Sequence, residues 1–226
     1  MNISIIVPAF NEEKNIGKAI DNLRKEGYNN IIVVDDGSKD KTFEIAKEMQ
    51  VHALRHIINR GQGAALQTGM SYALLNGAEI LVHFDSDCQH KAEEIQKMIL
   101  PIIRNEAEAT LGSRFLNKQR IPFKRKIMLK GAILIIRMFY GIKLSDAHNG
   151  FRAFSRDAAE KIRITMDKME HASEIVEEIK RKKIKYKEIP VTIVYTAESL
   201  KQGRKGQGKL DSLKIVSKMF MKKLGV

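Results

Sequence analysis

Apolar and polar positions follow two rhythms in the first half of this chain. Compact apolar runs at 3–8, 31–35, 53–57, 79–84 and 109–113 have the length and β-branched content of buried strands. Between them, 13–26, 41–49, 63–76 and 91–104 carry apolar residues at helical spacing. Gly27 and Gly77 stop the first and third of these helices, and Asp40 and Thr42 suit the amino end of the second. Strands alternating with helices predict parallel strands joined by crossovers: an α/β fold with a mostly parallel central sheet flanked by helices.

After Arg114 the rhythm changes. A basic and apolar helix is predicted near 124–140, then the polar string Ser145-Asp146-Ala147-His148-Asn149-Gly150-Phe151-Arg152. A helix near 171–183 leads into alternating runs at 184–189 and 191–195. Residues 199–209 are rich in Gly, Lys and Gln and are expected to be mobile without ligand. A last helix, about 210–224, gathers Leu213, Val216, Met219 and Phe220 on one face among lysines, to dock on the core or touch a membrane. No repeat, low-complexity tract or linker interrupts the chain, so one domain is expected over 1–226, with a smaller subregion in its second half, 115–226.

Charge adds the next constraint. Forty Lys and Arg against 27 Asp and Glu give a formal charge of +13, which calls for anionic partners. No acidic residue falls between Glu108 and Asp146, whereas Arg114, Lys118, Arg120, Lys124, Arg125, Lys126, Lys130, Arg137 and Lys143 do. A basic rim around an apolar helix fits an anionic bilayer surface, although the same apolar residues can pack on the sheet. Cys88 is the only cysteine, so no intramolecular disulfide forms. No apolar run reaches eighteen residues, and a strand beginning almost at Met1 leaves no room for a signal peptide. The expectation is a cytoplasmic protein, peripheral at the membrane face.

Candidate chemistry sits where strands end. The run 80–84 stops on Asp85-Ser86-Asp87, the second strand on Asp35-Asp36-Gly37-Ser38, and the first on Pro8-Ala9-Phe10-Asn11-Glu12. In an open α/β sheet the carboxyl edge is where ligands bind. Asp85, Asp87 and Gln89, at every second position of a segment read as extended, offer oxygens to one Mg²⁺ or Mn²⁺, with phosphate oxygens and water completing the shell. His90 is read as a hydrogen-bonding partner to this site, and Cys88 is given no chemistry. Phe10 offers a surface for a base and Glu12 a carboxylate. Asp36 suits ribose or base donors, while turn and cap chemistry explains Asp36 and Ser38 equally well. Arg60-Gly61-Gln62-Gly63-Ala64-Ala65 lacks the phosphate-loop spacings and reads as a tight turn whose backbone closes over a nucleotide.

Taken in order, these pieces resemble family 2 glycosyltransferases of the GT-A, Rossmann-like fold, in the branch of dolichyl-phosphate mannosyltransferases and polyprenyl-phosphate sugar transferases. The likeness runs through Val7-Pro8-Ala9-Phe10-Asn11-Glu12-Glu13, Val34-Asp35-Asp36-Gly37-Ser38-Lys39-Asp40-Lys41-Thr42, the stretch 61–69, and Asp85-Ser86-Asp87-Cys88-Gln89-His90. It continues in Gly112-Ser113-Arg114-Phe115, Asn149-Gly150-Phe151-Arg152 and Glu188-Ile189-Pro190-Val191.

The resemblance implies that 1–114 binds a nucleotide sugar and 115–226 serves the acceptor. Pro8, Ala9, Phe10, Glu12 and Asp36 would hold the nucleoside, with Gly61 and Ser86 beside it. Asp85, Asp87 and Gln89 would hold the metal, and Arg114 and Arg125 would meet donor diphosphate and acceptor phosphate. The string Arg204-Lys205-Gly206-Gln207-Gly208-Lys209 resembles a late basic clamp over the phosphates, with Arg204 and Lys209 as its cations. Its spacing is one residue short, and Gly208 stands where Ser is usual. The implied reaction is metal-dependent inverting transfer from a GDP- or UDP-sugar.

An acceptor polyprenyl phosphate needs no base, and the charge distribution favours it. A saccharide hydroxyl would need one, for which Asp146 and Glu174 are the candidates. A sugar-1-phosphate nucleotidyltransferase should instead open with a Gly-rich basic loop, which Pro8-Ala9-Phe10-Asn11-Glu12 is not. Nucleic acid is not expected as a partner, because acidic strand ends repel phosphates and the basic stretch is poor in aromatics. A non-catalytic basic membrane- or nucleic-acid-binding protein is the other alternative.

Overall fold

The computed structural model describes residues 1–117, 127, 129–131, 133, 138, 141–146 and 149–195. The chain divides into two compact units, Met1–Ile193 and Val194–Val226. Of the second, only Val194 and Tyr195 are described. The predicted tail and last helix, with Arg204 and Lys209, lie outside the described residues. So do Arg125 and most of the predicted helix 124–140.

In the first unit the strands are β1 (Ile3–Ala9), β2 (Ile31–Asp35), β3 (His52–Arg55), β4 (Ile80–His83), β5 (Ala109–Ser113), β6 (Arg152–Ser155) and β7 (Tyr186–Pro190). The helices are α1 (Ile16–Lys25), α2 (Thr42–Glu48), α3 (Gln62–Leu75), α4 (Ile95–Ile103), α5 (Arg156–Lys161) and α6 (His171–Arg181). All seven strands share one sheet in the order β3-β2-β1-β4-β6-β5-β7. Only β6 runs against its neighbours β4 and β5. The α/β, mostly parallel reading is correct.

Both faces of the sheet are covered, and strand periodicity sorts the core. Ile5, Val7, Ile31 and Val33 pack with Ile16, Ile20, Leu23, Phe84 and Met98. Ile6, Ile32 and Val34, one residue out of phase, pack with Leu66, Met70, Phe154 and Ile175. Small residues bring α3 close to the sheet: a Cβ on Gly69 would come within 2.4 Å of Ile6 Cγ2. Gly27 and Gly77 follow α1 and α3 with φ of +84° and +76°, the left-handed backbone expected of helix stops.

Several boundaries differ from expectation. β3 ends at Arg55 rather than 57, because Ile57 and Ile58 project from the following loop, with Ile57 wholly exposed. The predicted helix 91–104 opens as a 3₁₀ turn at Ala92–Glu94 before α4, which carries Pro101 near its end. The alternating runs after 183 yield β7 and a single bridge from Ile193 to His90. β6 and α5 have no counterpart among the predicted elements. Ser155 marks their junction, its Oγ accepting from Ala158 N at 3.2 Å as an N-cap. Among the described residues, no helix is long and apolar enough to cross a membrane.

Candidate active site

β1 has β2 on one side and β4 on the other, with chain order reversing at β1. That is the switch point at which an open α/β sheet parts to admit a ligand. Phe10, Asn11 and Glu12 leave β1 there, and Asp85, Ser86 and Asp87 leave β4 beside them. Phe10 is 45% exposed, whereas Ala9, Ser86 and Asp36 are buried.

The segment 85–89 is a turn rather than the expected extended run, with Cys88 in the left-handed region at φ +58°. Asp85 is gripped at both oxygens: Gln62 Nε2 donates to Oδ1 at 3.0 Å, and His90 Nε2 meets Oδ2 at 2.9 Å. Gly150 makes room for it, since a Cβ there would fall 2.6 Å from Asp85 Oδ2. Asp87 accepts from Gln89 N at 3.0 Å and from the Gln89 side-chain amide. Gln89 turns its side-chain nitrogen toward Asp87, because a carboxylate only accepts.

Charge is crowded at this edge. Burial and the neighbouring Asp85 push the Asp87 carboxyl up, against the hydrogen bonds from Gln89. Burial raises the Glu12 carboxyl, as do Asp87, Asp40 and Asp85, against a 2.7 Å hydrogen bond from Asn15. Burial would raise Asp85 too, but the His90 hydrogen bond and charge, with His171 and Arg152, hold it below the usual carboxylate range. Beneath it lie three buried groups that the sequence did not single out for a role. His83 is pushed down to about 3 by burial, then Arg152 and His171. His171 is pushed down to about 4 by burial and Arg152, and burial brings Arg152 to about 10.

Two carboxylates, crowded and partly unneutralised, fit a hard cation that shares its shell with substrate phosphates. Among the described residues, no group of three or more His, Cys, Asp or Glu side chains is arranged to hold a metal alone.

Asp36 serves the protein. Its Oδ1 accepts from Arg60 N at 3.0 Å and meets His56 Nδ1 at 2.7 Å, and its Oδ2 accepts from Gly61 N at 2.6 Å. Ser38 is engaged likewise, its Oγ accepting from Asn11 N. Gly61 (φ +116°) does form a tight turn, but its backbone closes on protein: a Cβ would meet Asp167 O at 2.4 Å.

Arg114 and Asp146, both buried, form an ion pair. Arg114 Nε donates to Asp146 Oδ2 at 2.6 Å, and Arg114 N donates to the same oxygen at 3.1 Å. Glu188 of β7 steadies the turn by accepting from Ser145 N and Asp146 N. Glu174, in the first turn of α6, accepts from Thr165 N (2.9 Å), Met166 N (2.8 Å) and Thr165 Oγ1 (2.5 Å). Asp146 is the counter-ion of a buried arginine, and Glu174 is the anchor of a chain segment.

The model of the family described as Glycosyl transferase family 2 matches residues 4–163. A UDP-N-acetylglucosamine–dolichyl-phosphate N-acetylglucosaminyltransferase of Methanococcus voltae is 34% identical over 99% of this chain and 96% of its own length. A dolichol-phosphate mannosyltransferase of Pyrococcus furiosus is 31% identical over 85% of this chain and 56% of its own. In fold, the chain is similar to glucosyl-3-phosphoglycerate synthase of Mycobacterium tuberculosis, solved with Mn²⁺ and UDP. The TM-score is 0.73 at 16% identity, covering 100% of this chain and 80% of that one.

Proposed function

The chain belongs to glycosyl transferase family 2 and is a glycosyltransferase, and from that premise we propose that it moves a sugar from a nucleotide donor to a polyprenyl or dolichyl phosphate. The observation that carries the acceptor class is the state of Asp146 and Glu174. With one paired to Arg114 and the other holding Thr165 and Met166, both are engaged by the protein, which supports an acceptor that needs no base. An acceptor phosphate is already anionic and needs no base.

In this reading Phe10 and Glu12 flank the nucleoside at the switch point, with Pro8 and Ala9 lining the strand end. Asp36 shapes the turn beside it through the Arg60 and Gly61 amides. Asp85 and Asp87 would hold Mg²⁺ or Mn²⁺, which when bound supplies positive charge to the departing diphosphate. Asp146 orients Arg114, whose fixed cation favours the same charge. An acceptor phosphate oxygen bonds to the anomeric carbon as the sugar–diphosphate bond breaks on the opposite face, inverting that carbon. We assign Arg125, Arg204 and Lys209 to phosphate contacts, as the resemblance of their sequence context implies. The +13 charge and the basic stretch after Glu108 support work at an anionic membrane surface.

A panel of UDP- and GDP-sugars with a polyprenyl phosphate, read by mass spectrometry, tests the proposal. UDP-sugars head it, as the Methanococcus voltae relative is named for one. Formation of a polyprenyl-phosphate sugar supports the reading. Transfer only to saccharide hydroxyls overturns it.

A further inference from the structure

The segment 164–168 lies across the turn that opens α3, and the contact is close. Ala64 N donates to Asp167 O at 3.2 Å, and a Cβ on Gly63 would meet Met166 O at 2.1 Å. Arg60 pairs with Asp167 at 3.2 Å, and Ile164 N donates to Gln67 Oε1 at 2.7 Å. Glu174 fastens the segment from behind through Thr165 and Met166. At the front of the same turn, Gln62 donates to Asp85 Oδ1. An unbroken set of contacts therefore runs from α6 to the carboxylate at the end of β4.

We infer that Gln62 is a positioning residue for Asp85, and that Glu174 sets the position of Gln62 through the segment 164–168. An ionised carboxylate only accepts, so Gln62 can present just one end, its Nε2, which fixes the carboxylate plane together with His90. Partners of this outer kind orient a metal ligand before the cation arrives. The inference rests on the proposed metal role of Asp85 and assigns Glu174 a mechanical part in it.

The test reads Mn²⁺ binding by EPR, with UDP or GDP as co-ligand, in the full chain. Gln62→Met keeps the side-chain volume without the donor and should weaken Mn²⁺ binding about tenfold, the scale of losing an outer-shell partner. Glu174→Gln should also weaken it and should speed amide exchange at Thr165, Met166 and Ala64. If the influence of Glu174 travels through Gln62, the double variant should bind no more than about twofold worse than Gln62→Met alone, as a double-mutant cycle reports. Mn²⁺ affinity unchanged in Gln62→Met overturns the positioning role. Fully multiplicative losses overturn the link to Glu174. A wild-type chain that takes up no Mn²⁺ with either nucleotide overturns the metal reading itself, a result distinct from both.

Discussion

Two pairs of carboxylates in this molecule have opposite fates. Asp85 and Asp87, at the switch point, stand close enough that Asp85 raises the Asp87 carboxyl, and Glu12 adds to the crowding. Asp146 and Glu174, in the second half of the chain, are sunk in the protein and bonded by an arginine and by backbone amides. All four are carboxylates, but Asp87 sits under the unrelieved charge of its neighbour whereas Asp146 and Glu174 do not. The difference teaches where to look for chemistry: carboxylates that repel one another mark the site, and those with complete partners hold the frame around it.

The hardest test of that contrast is Asp85→Ala and Asp87→Ala. Each should lower transfer by about 10³-fold or more, the scale of removing a principal electrostatic element. Glu174→Gln should retain far more turnover in the same assay, and equal losses would break the contrast. Next in size, Asp146→Asn breaks a buried ion pair with Arg114 and should cost about 3–5 kcal/mol in urea unfolding. Asp87→Asn should instead stabilise the metal-free protein near neutral pH, because its folded-state carboxyl is raised and ionisation there opposes folding.

Gly150→Ala sharpens the comparison at finer scale. The new methyl would press Asp85 Oδ2 and should cut transfer about 10–100-fold while melting stays close to wild type. The smallest effect concerns the histidines under Asp85. Their folded values of about 3 and about 4 lie below the ordinary 6.5, so the unfolded chain binds more protons as pH falls. Stability should therefore be complete above pH 6.5 and decline below it, by at most about 1.4 kcal/mol per pH unit for each histidine. His171→Leu should remove one share of that slope in unfolding curves taken between pH 7 and 5.

Much of the first half was legible because local periodicity decides it. Runs of five or six apolar residues with β-branched side chains can bury both faces only inside a sheet, and helix spacing between them forces the crossovers. Asp85, Asp87 and Glu12 were singled out on the same grounds, as polar residues released at strand ends, with the aromatic Phe10 beside them. Ile57 and Ile58 misled the β3 boundary because an apolar side chain carries no mark of whether it is covered. β6 escaped notice because Arg152-Ala153-Phe154-Ser155 is short and begins with a charge that only the fold buries. Gln62 had no signal beyond its place beside Gly61, since its partner lies 23 positions away.

By itself, then, the order of residues determined which segments form strands and helices, that the strands run mostly parallel, and which edge carries the acidic turns, because each depends on neighbours within a few positions. Tertiary structure alone decided that Asp146 pairs with Arg114, that Glu174 ties down Thr165 and Met166, and that Gln89 offers Asp87 a nitrogen. A carboxylate's role depends on the donors that reach it. For Asp146 the donor comes from a residue 32 positions earlier, and its approach is set by how β5, β6 and β7 pack.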